Sequence, residues 1–329
     1  MLVGTIAASL AMQASASQVV RVPLHIASEQ TTIEVPEVQS FVSADEIIVS
    51  VNCGGGPVRV EVRPSDSDRV TGWYDLGTWA LDGRRTSVNG QNDADGQVLT
   101  DTLRLTRATN KLGLRFTVES MASAREGCAY VCFSSKPTEA PKEAGHAVEP
   151  IPVPQYAQGD FPGGEVLCSP TSLSMVLNYW AAKVSKPEWA KSTTEITKQV
   201  YDPAYKGAGN WAFNVAYAGS LPGLTAFVAR MDSLTDAQKW LRAGIPVICS
   251  VASTMLDGGP LGKKETGHLL VLVGLTGDGD PITNNPSHRA ELRKIYKREN
   301  FERAWAYSRK TVYLVYPTGL EAPSAIAGE

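Results

Sequence analysis

Cys168 lies where a thiol can become a nucleophile, at the predicted start of a helix. Residues 163–172, GGEVLCSPTS, form a glycine-rich loop that runs into a segment with helical apolar spacing. The positive end of a helix dipole favours the thiolate, which is the reactive form of cysteine. Cys249 lies instead inside the apolar run of residues 245–251, where we expect a small buried hydrophobic residue.

A thiolate nucleophile needs a base, and His268 has the most suitable position. It follows Gly267 and opens the apolar run of residues 268–275, so we expect it at the mouth of a buried strand. Its wide separation from Cys168 along the chain puts the two on different elements, as a Cys–His pair requires. The alternative is a core histidine with satisfied hydrogen bonds. Of the other three histidines, His25 falls in a strand of the first half, His146 in the linker and His288 in a polar turn.

Two further roles complete such a site, and amide side chains are available for both. A short hairpin after the His268 strand would place Asn284 or Asn285 beside the imidazole, where either could orient the ring. An oxyanion needs a hydrogen-bond donor, and Gln158 precedes Cys168 by ten residues. Ordinary turn chemistry is the alternative explanation for each of these amides.

This order of residues resembles the double-glycine (bacteriocin-processing) peptidase-like family of papain-like cysteine peptidases. The similar segments are VPQYAQ at 153–158, CSPTSLSMVLNYW at 168–180, Gly-His at 267–268 and Asn-Asn-Pro at 284–286, within about residues 153–317. The resemblance implies Cys168 as nucleophile, His268 as base, Gln158 as oxyanion donor and Asn285 as orienter. Two positions differ from the family pattern: Asn285 replaces an Asp, and Ser169 replaces a Gly.

The chemistry implied is attack of the Cys168 thiolate on a carbonyl, with an acyl-enzyme intermediate and no cofactor or metal. Hydrolysis of peptide or amide bonds is the simplest outcome, and deamidation or transfer to an amine would use the same residues. The expected partner is a peptide or protein substrate, at a cell wall or surface. The alternative function is a non-catalytic cell-surface binding protein on a degenerate peptidase scaffold. Its binding face would use aromatic residues of the first half: Trp73, Tyr74 and Trp79.

The two halves of the chain have different periodicities. Residues 17–135 alternate between apolar and polar and predict an antiparallel β-sandwich, with strands at 46–52, 58–63 and 112–118. A linker rich in Pro and charge covers residues 136–147. Residues 148–320 mix helical and strand patterns, so the chain as a whole is α+β, with a papain-like second domain. We expect the first domain to direct the second to a substrate or to cover its cleft.

Composition limits the class of protein. The chain has 329 residues, 43% of them hydrophobic, and a formal net charge of −3, which gives no reason to expect nucleic-acid binding. No apolar run is long enough to span a membrane. Residues 1–16 end in Ala-Ser-Ala and predict a secretory signal peptide without a basic n-region, and hence a secreted, periplasmic or cell-surface protein. Export would permit one disulfide among Cys53, Cys128 and Cys132.

Overall fold

The computed structural model describes residues 15–29, 31–66, 68–119, 125–136, 146–263, 267–323 and 326–327. Within them the chain forms two largely antiparallel sheets, one of nine strands and one of six, with helices against the second. All but the last two residues of the predicted signal peptide lie outside the described residues, as does most of the predicted linker. In the described part, no helix is both long and apolar enough to cross a membrane.

The N-terminal β domain contains the nine-stranded sheet. Its strands are β1 (Ser17–Ile26), β2 (Thr32–Asn52), β3 (Val58–Ser65), β4 (Tyr74–Trp79), β5 (Val88–Asn92), β6 (Gly96–Thr100), β7 (Thr102–Val118), β8 (Arg125–Ser134) and, from the C-terminal end, β15 (Ile326–Ala327). The order is β15-β1-β8-β2-β7-β3-β4, with the β5–β6 hairpin attached to β7. Residues 32–47 of β2 pair with β7, with register shifts along the way, and residues 46–52 pair with β8, so β2 connects these two strands in one sheet.

The C-terminal half contains the helices and the six-stranded sheet. Its helices are α1 (Cys168–Lys183), α2 (Thr193–Val200), α3 (Trp211–Ser220), α4 (Leu234–Arg242) and α5 (Arg298–Ala306). Its strands are β9 (Leu224–Arg230), β10 (Val247–Val251), β11 (His268–Leu275), β12 (Pro281–Asn284), β13 (Arg293–Ile295) and β14 (Thr311–Pro317), in the order β13-β12-β11-β10-β14-β9. The α+β class is confirmed, as are the helix that begins at Cys168 and the strand that begins at His268.

The β domain covers the free edge of β9, which is the last strand of the six-stranded sheet. The Asn52 amide donates to the Ala226 carbonyl at 2.7 Å and accepts from the Ala226 N–H at 2.9 Å. Two residues further along, the Val228 N–H donates to Ser50 Oγ at 2.9 Å. Side chains of the β domain therefore satisfy the alternate backbone groups that an edge strand leaves exposed.

Buried rings and charges extend the same interface. Tyr130 stacks on Phe227 of β9 with ring centroids 4.7 Å apart. Arg230 of β9 pairs with Glu46 of β2, and both side chains are almost fully buried. A buried pair of this kind is costly to break, because loss of one partner leaves the other charge without compensation. The two halves therefore share a buried interface along β9.

The aromatic residues considered for a binding face are mostly core residues. Tyr74 is fully buried and Trp79 is nearly so, with Trp79 packed against Phe213 of α3 at 5.8 Å between ring centroids. Trp73 is partly exposed, but cationic side chains contact its ring. Burial of two of the three rings removes the basis for that surface.

We expect Asn52→Ala to lower the free energy of unfolding by about 1–3 kcal/mol, because it leaves a buried N–H and a buried carbonyl of β9 without partners. Urea unfolding of the full chain measures this. Asn89→Ala, at an exposed position of β5, is the matched control and should change stability by less than about 0.5 kcal/mol. A change at Asn52 as small as that of the control would contradict the edge-strand interpretation.

Candidate active site

Cys168 is the first residue of α1 and is partly exposed. Its backbone N–H is therefore one of the first four amides of the helix, which have no acceptor within the helix. The helix continues through an almost completely buried segment, which fixes its direction in the core. The sequence thus places a reachable thiol and a free amide donor at the same point, as predicted from the glycine-rich loop.

His268 is the first residue of β11, and its side chain forms a hydrogen bond with Cys168. A second contact fixes the two elements against each other, since Ser172 Oγ in the second turn of α1 donates to the Leu269 carbonyl at 3.1 Å. Antiparallel pairing with β10 and β12 holds the strand on both sides. The separation of thiol and imidazole is therefore set by backbone elements rather than by a loop.

The pKa of Cys168 lies below its ordinary value even though the residue is only partly exposed. Burial raises this pKa, but the hydrogen bond to His268, the charge of the imidazolium and the backbone N–H groups of Leu269 and Ser169 together lower it by more. The other four cysteines show the opposite shift. Burial raises the pKa of Cys53 and of Cys132 to about 11. Burial also raises the pKa of Cys128 and of Cys249.

All five thiols are free, including the three considered for a disulfide. Cys128 and Cys132 lie four residues apart on β8, which places their Cα atoms roughly 13 Å apart along the strand. That distance is well beyond disulfide reach.

Asn285 contacts the imidazole of His268. Its Oδ1 lies 2.8 Å from His268 Nε2, and the same oxygen accepts the Ser287 N–H at 3.0 Å. Because the backbone N–H identifies this atom as an acceptor, His268 must donate from Nε2. Because Nε2 is occupied by Asn285, Nδ1 is the ring nitrogen left for Cys168. On its other side, the Asn285 amide donates to Tyr296 Oη at 2.7 Å.

Asn284, the other residue considered for this role, has different partners. Its amide donates to the Val153 carbonyl at 3.1 Å, and its Oδ1 accepts from Arg293 Nε at 2.6 Å. Consecutive residues of an extended segment point to opposite sides, so only one of the pair can reach His268. The structure brings Asn285 to the imidazole and uses Asn284 to anchor the segment that leads into the site.

Gln158 is buried, and its Oε1 has no hydrogen-bond partner in the described part of the chain. Its backbone N–H donates to the Pro286 carbonyl at 2.9 Å, next to Asn285. Gly164 is required for this placement, because a Cβ there would lie 2.1 Å from the Gln158 carbonyl oxygen. A buried amide oxygen without a partner is costly. The predicted oxyanion role concerns the other polar atom of this amide, the Nε2–H donor.

Sequence reasoning missed three supporting residues. Ser287 lies two residues after Asn285 in Asn-Pro-Ser, and this local Asx-turn pattern could have identified it. Tyr296 reaches Asn285 only because β13 pairs with β12, so no local sequence pattern could have identified this residue. Tyr313 of β14 forms a 3.0 Å hydrogen bond with Ser169 Oγ, at the position where the family pattern has Gly. In the described residues, no group of three or more His, Cys, Asp or Glu could hold a metal ion.

Comparison with known proteins found two matching family profiles and a similarity to a solved structure. The profile of the Peptidase_C39 like family matches residues 150–313, a range that contains all four predicted site residues. The profile of the Peptidase C39 N-terminal domain matches residues 7–128. Among solved structures, the chain is similar to a C39-like peptidase from Bacillus anthracis, with 18% identity, a TM-score of 0.40 and coverage of 54% of this chain and 100% of that one. No curated protein matches it. On the two profile matches, the chain belongs to the C39-like family of papain-like cysteine peptidases.

Proposed function

We propose that the protein is an exported cysteine hydrolase that cleaves peptide or amide bonds through the Cys168 thiolate. The observation that carries this proposal is the contrast among the cysteines, since only Cys168 has a lowered pKa and an imidazole partner. The family match supports a cysteine peptidase-type function. It does not favour the alternative of a binding protein on a degenerate scaffold. Export rests on the sequence of residues 1–16.

In the acylation step, Cys168 Sγ attacks the carbonyl carbon of the scissile bond, and its electron pair forms the new C–S bond. The carbonyl oxygen becomes an oxyanion, which the Cys168 N–H and the Gln158 side-chain amide stabilise. His268 Nδ1–H then protonates the leaving amine as the C–N bond breaks. The result is a thioester on Cys168 and a neutral imidazole.

In the deacylation step, His268 Nδ1 accepts a proton from water, whose oxygen attacks the thioester carbonyl. Collapse of the second tetrahedral intermediate breaks the C–S bond, releases the acid product and restores the thiolate beside the imidazolium. Throughout both steps, the Nε2–H bond to Asn285 keeps the ring in one orientation. Asn285 carries no charge, so it stabilises the imidazolium less than the Asp of the family pattern would.

His268→Ala should raise the pKa of Cys168 above that of an ordinary cysteine, because burial remains while the hydrogen bond and the positive charge are lost. The thiolate is the reactive form, so alkylation at pH 7 should slow by more than about tenfold. The rate of iodoacetamide alkylation against pH measures both effects, with Cys168→Ser identifying the labelled site. His25→Ala removes an exposed histidine of the β domain and is the control. The proposal would be refuted if the pH midpoint of alkylation in the wild-type protein lay at the value of an ordinary thiol and did not change in His268→Ala.

Asn285→Ala should lower turnover by about 10- to 100-fold, since a hydrogen bond to the imidazolium is lost. Asn285→Asp keeps an oxygen acceptor for Nε2–H and adds a negative charge that stabilises the imidazolium, so it should retain activity. Cleavage of a random peptide mixture, followed by mass spectrometry, measures turnover. Asn284→Ala can reduce stability but should leave the alkylation midpoint in place. The account of ring orientation fails if Asn284→Ala moves that midpoint and Asn285→Ala does not.

Gln158→Ala should reduce turnover by about 10²- to 10³-fold, the usual cost of removing one oxyanion donor. Iodoacetamide alkylation develops no oxyanion, so its rate should change little. Gly164→Ala should act in the same direction by displacing Gln158. Gly159→Ala is the matched control, because a Cβ at that position meets no atom within 4 Å. Equal losses of turnover and alkylation in Gln158→Ala would argue against an oxyanion role.

A further inference from the structure

Helix α1 begins without a side-chain cap, although its first residue is the proposed nucleophile. Leu167, at the N-cap position, provides no side-chain hydrogen bond to the helix. Within the described residues, each of the other four helices has a side-chain oxygen that accepts a first-turn N–H. This oxygen belongs to Ser192 for α2, Asn210 for α3, Glu302 for α4 and Asp280 for α5. Helix ends without such partners fray, so Cys168 lies where α1 has the least local support.

The absence of a cap leaves the first N–H groups of α1 to the site. An N-cap side chain accepts from the second or third residue of a helix. The third residue of α1 is Pro170, which has no N–H, so a cap would take the N–H of Ser169. That N–H donates to the Cys168 thiol, and the N–H of Cys168 is the proposed oxyanion donor. The first turn must therefore be fixed by contacts that use neither group.

Two serine hydroxyls anchor the first turn to the six-stranded sheet. Ser169 Oγ forms a 3.0 Å hydrogen bond with Tyr313 Oη of β14, and Ser172 Oγ donates to the Leu269 carbonyl of β11 at 3.1 Å. Residues three apart lie on the same face of a helix. Strands β14 and β11 lie on opposite sides of β10. Contacts with two strands hold the first turn in place, whereas the Ser172 contact alone would let it tilt.

The bond between Ser169 and Tyr313 is enclosed by protein. Both side chains are fully buried, and Tyr313 lies inside the sheet, paired with Ile248 of β10 and Val228 of β9. Removal of either hydroxyl leaves the other buried without this partner, which is costly. Glycine, which the family pattern has in place of Ser169, could not form the bond.

We propose that Ser169 and Tyr313 are positioning residues, which hold the uncapped first turn of α1 against the sheet and thereby fix the thiol and the N–H of Cys168. Their hydroxyls act through the helix backbone and transfer no proton in the reaction. The inference rests on the proposed function for its effect on turnover, because a displaced nucleophile loses rate even when substrate still binds.

Urea unfolding tests the contact without any assumption about activity. Ser169→Ala and Tyr313→Phe should each lower the free energy of unfolding, because each leaves one buried hydroxyl without its partner. The double variant removes both hydroxyls, so its loss should be clearly smaller than the sum of the two single losses. Losses that add would show that the hydroxyls do not depend on each other and would overturn the proposal.

Alkylation and turnover test the positioning step. Tyr313→Phe and Ser169→Ala should each lower the turnover of a random peptide mixture by about tenfold. Each should also raise the pH midpoint of iodoacetamide alkylation, because a displaced thiol loses part of its hydrogen bond to His268. The double variant should resemble either single variant rather than multiply their effects.

Tyr179→Phe is the matched control, since it removes a buried tyrosine hydroxyl from the far half of the same helix. Tyr179 Oη donates to the Gly244 carbonyl at 3.0 Å. This variant can lose stability but should leave turnover and the alkylation midpoint unchanged. Equal changes in Tyr313→Phe and Tyr179→Phe would reduce the Ser169 bond to a general role in stability and overturn the proposal. Failure of the proposed function gives a different result, an ordinary thiol midpoint in the wild-type protein, and the unfolding measurements then still decide whether the anchor exists.

Discussion

The hydrogen bond between Cys168 and His268 is the interaction on which the proposed chemistry of this protein depends. The thiol is only partly exposed, and burial alone would keep it protonated, as it does at the other four cysteines. The imidazole reverses that effect at one position. Every other feature of the site serves to keep this contact: α1 presents the thiol, β11 presents the ring, and Ser172 joins the two elements. Asn285 then selects the ring nitrogen that faces the sulfur.

The β domain contributes to the same constraint from a distance. It covers the edge of β9 with side chains that replace a missing neighbouring strand, and its residues Arg85 and Asp101 cap helices α2 and α3, which pack against α1. A free edge strand and uncapped buried helix ends would both leave polar backbone groups without partners. A chain cut at the linker would expose both kinds of group. This dependence gives a physical reason for the buried interface between the two halves.

The sequence was most informative where a local pattern determines the structure. A glycine-rich loop before an apolar helix located Cys168, and a continuous apolar run located the strand of His268. Helix α2 was missed, although Ser192 and Glu195 form a capping box that marks its start. The choice between Asn284 and Asn285 could not be made from sequence, because it depends on where β12 ends and which way each side chain then points. Tyr296 and Arg85 were also out of reach, since their partners are distant in the chain and are set by tertiary packing.

The central claim is that Cys168 and His268 share a proton as a thiolate–imidazolium pair, and a carbon-13 NMR titration of both side chains tests it most directly. The account predicts that, at neutral pH, the Cβ shift of Cys168 is that of a thiolate and the ring shifts of His268 are those of an imidazolium. The two should titrate together, and His268→Ala should return Cys168 to the thiol form. A wild-type Cys168 that remains a thiol beside a neutral His268 across the neutral range would contradict the account.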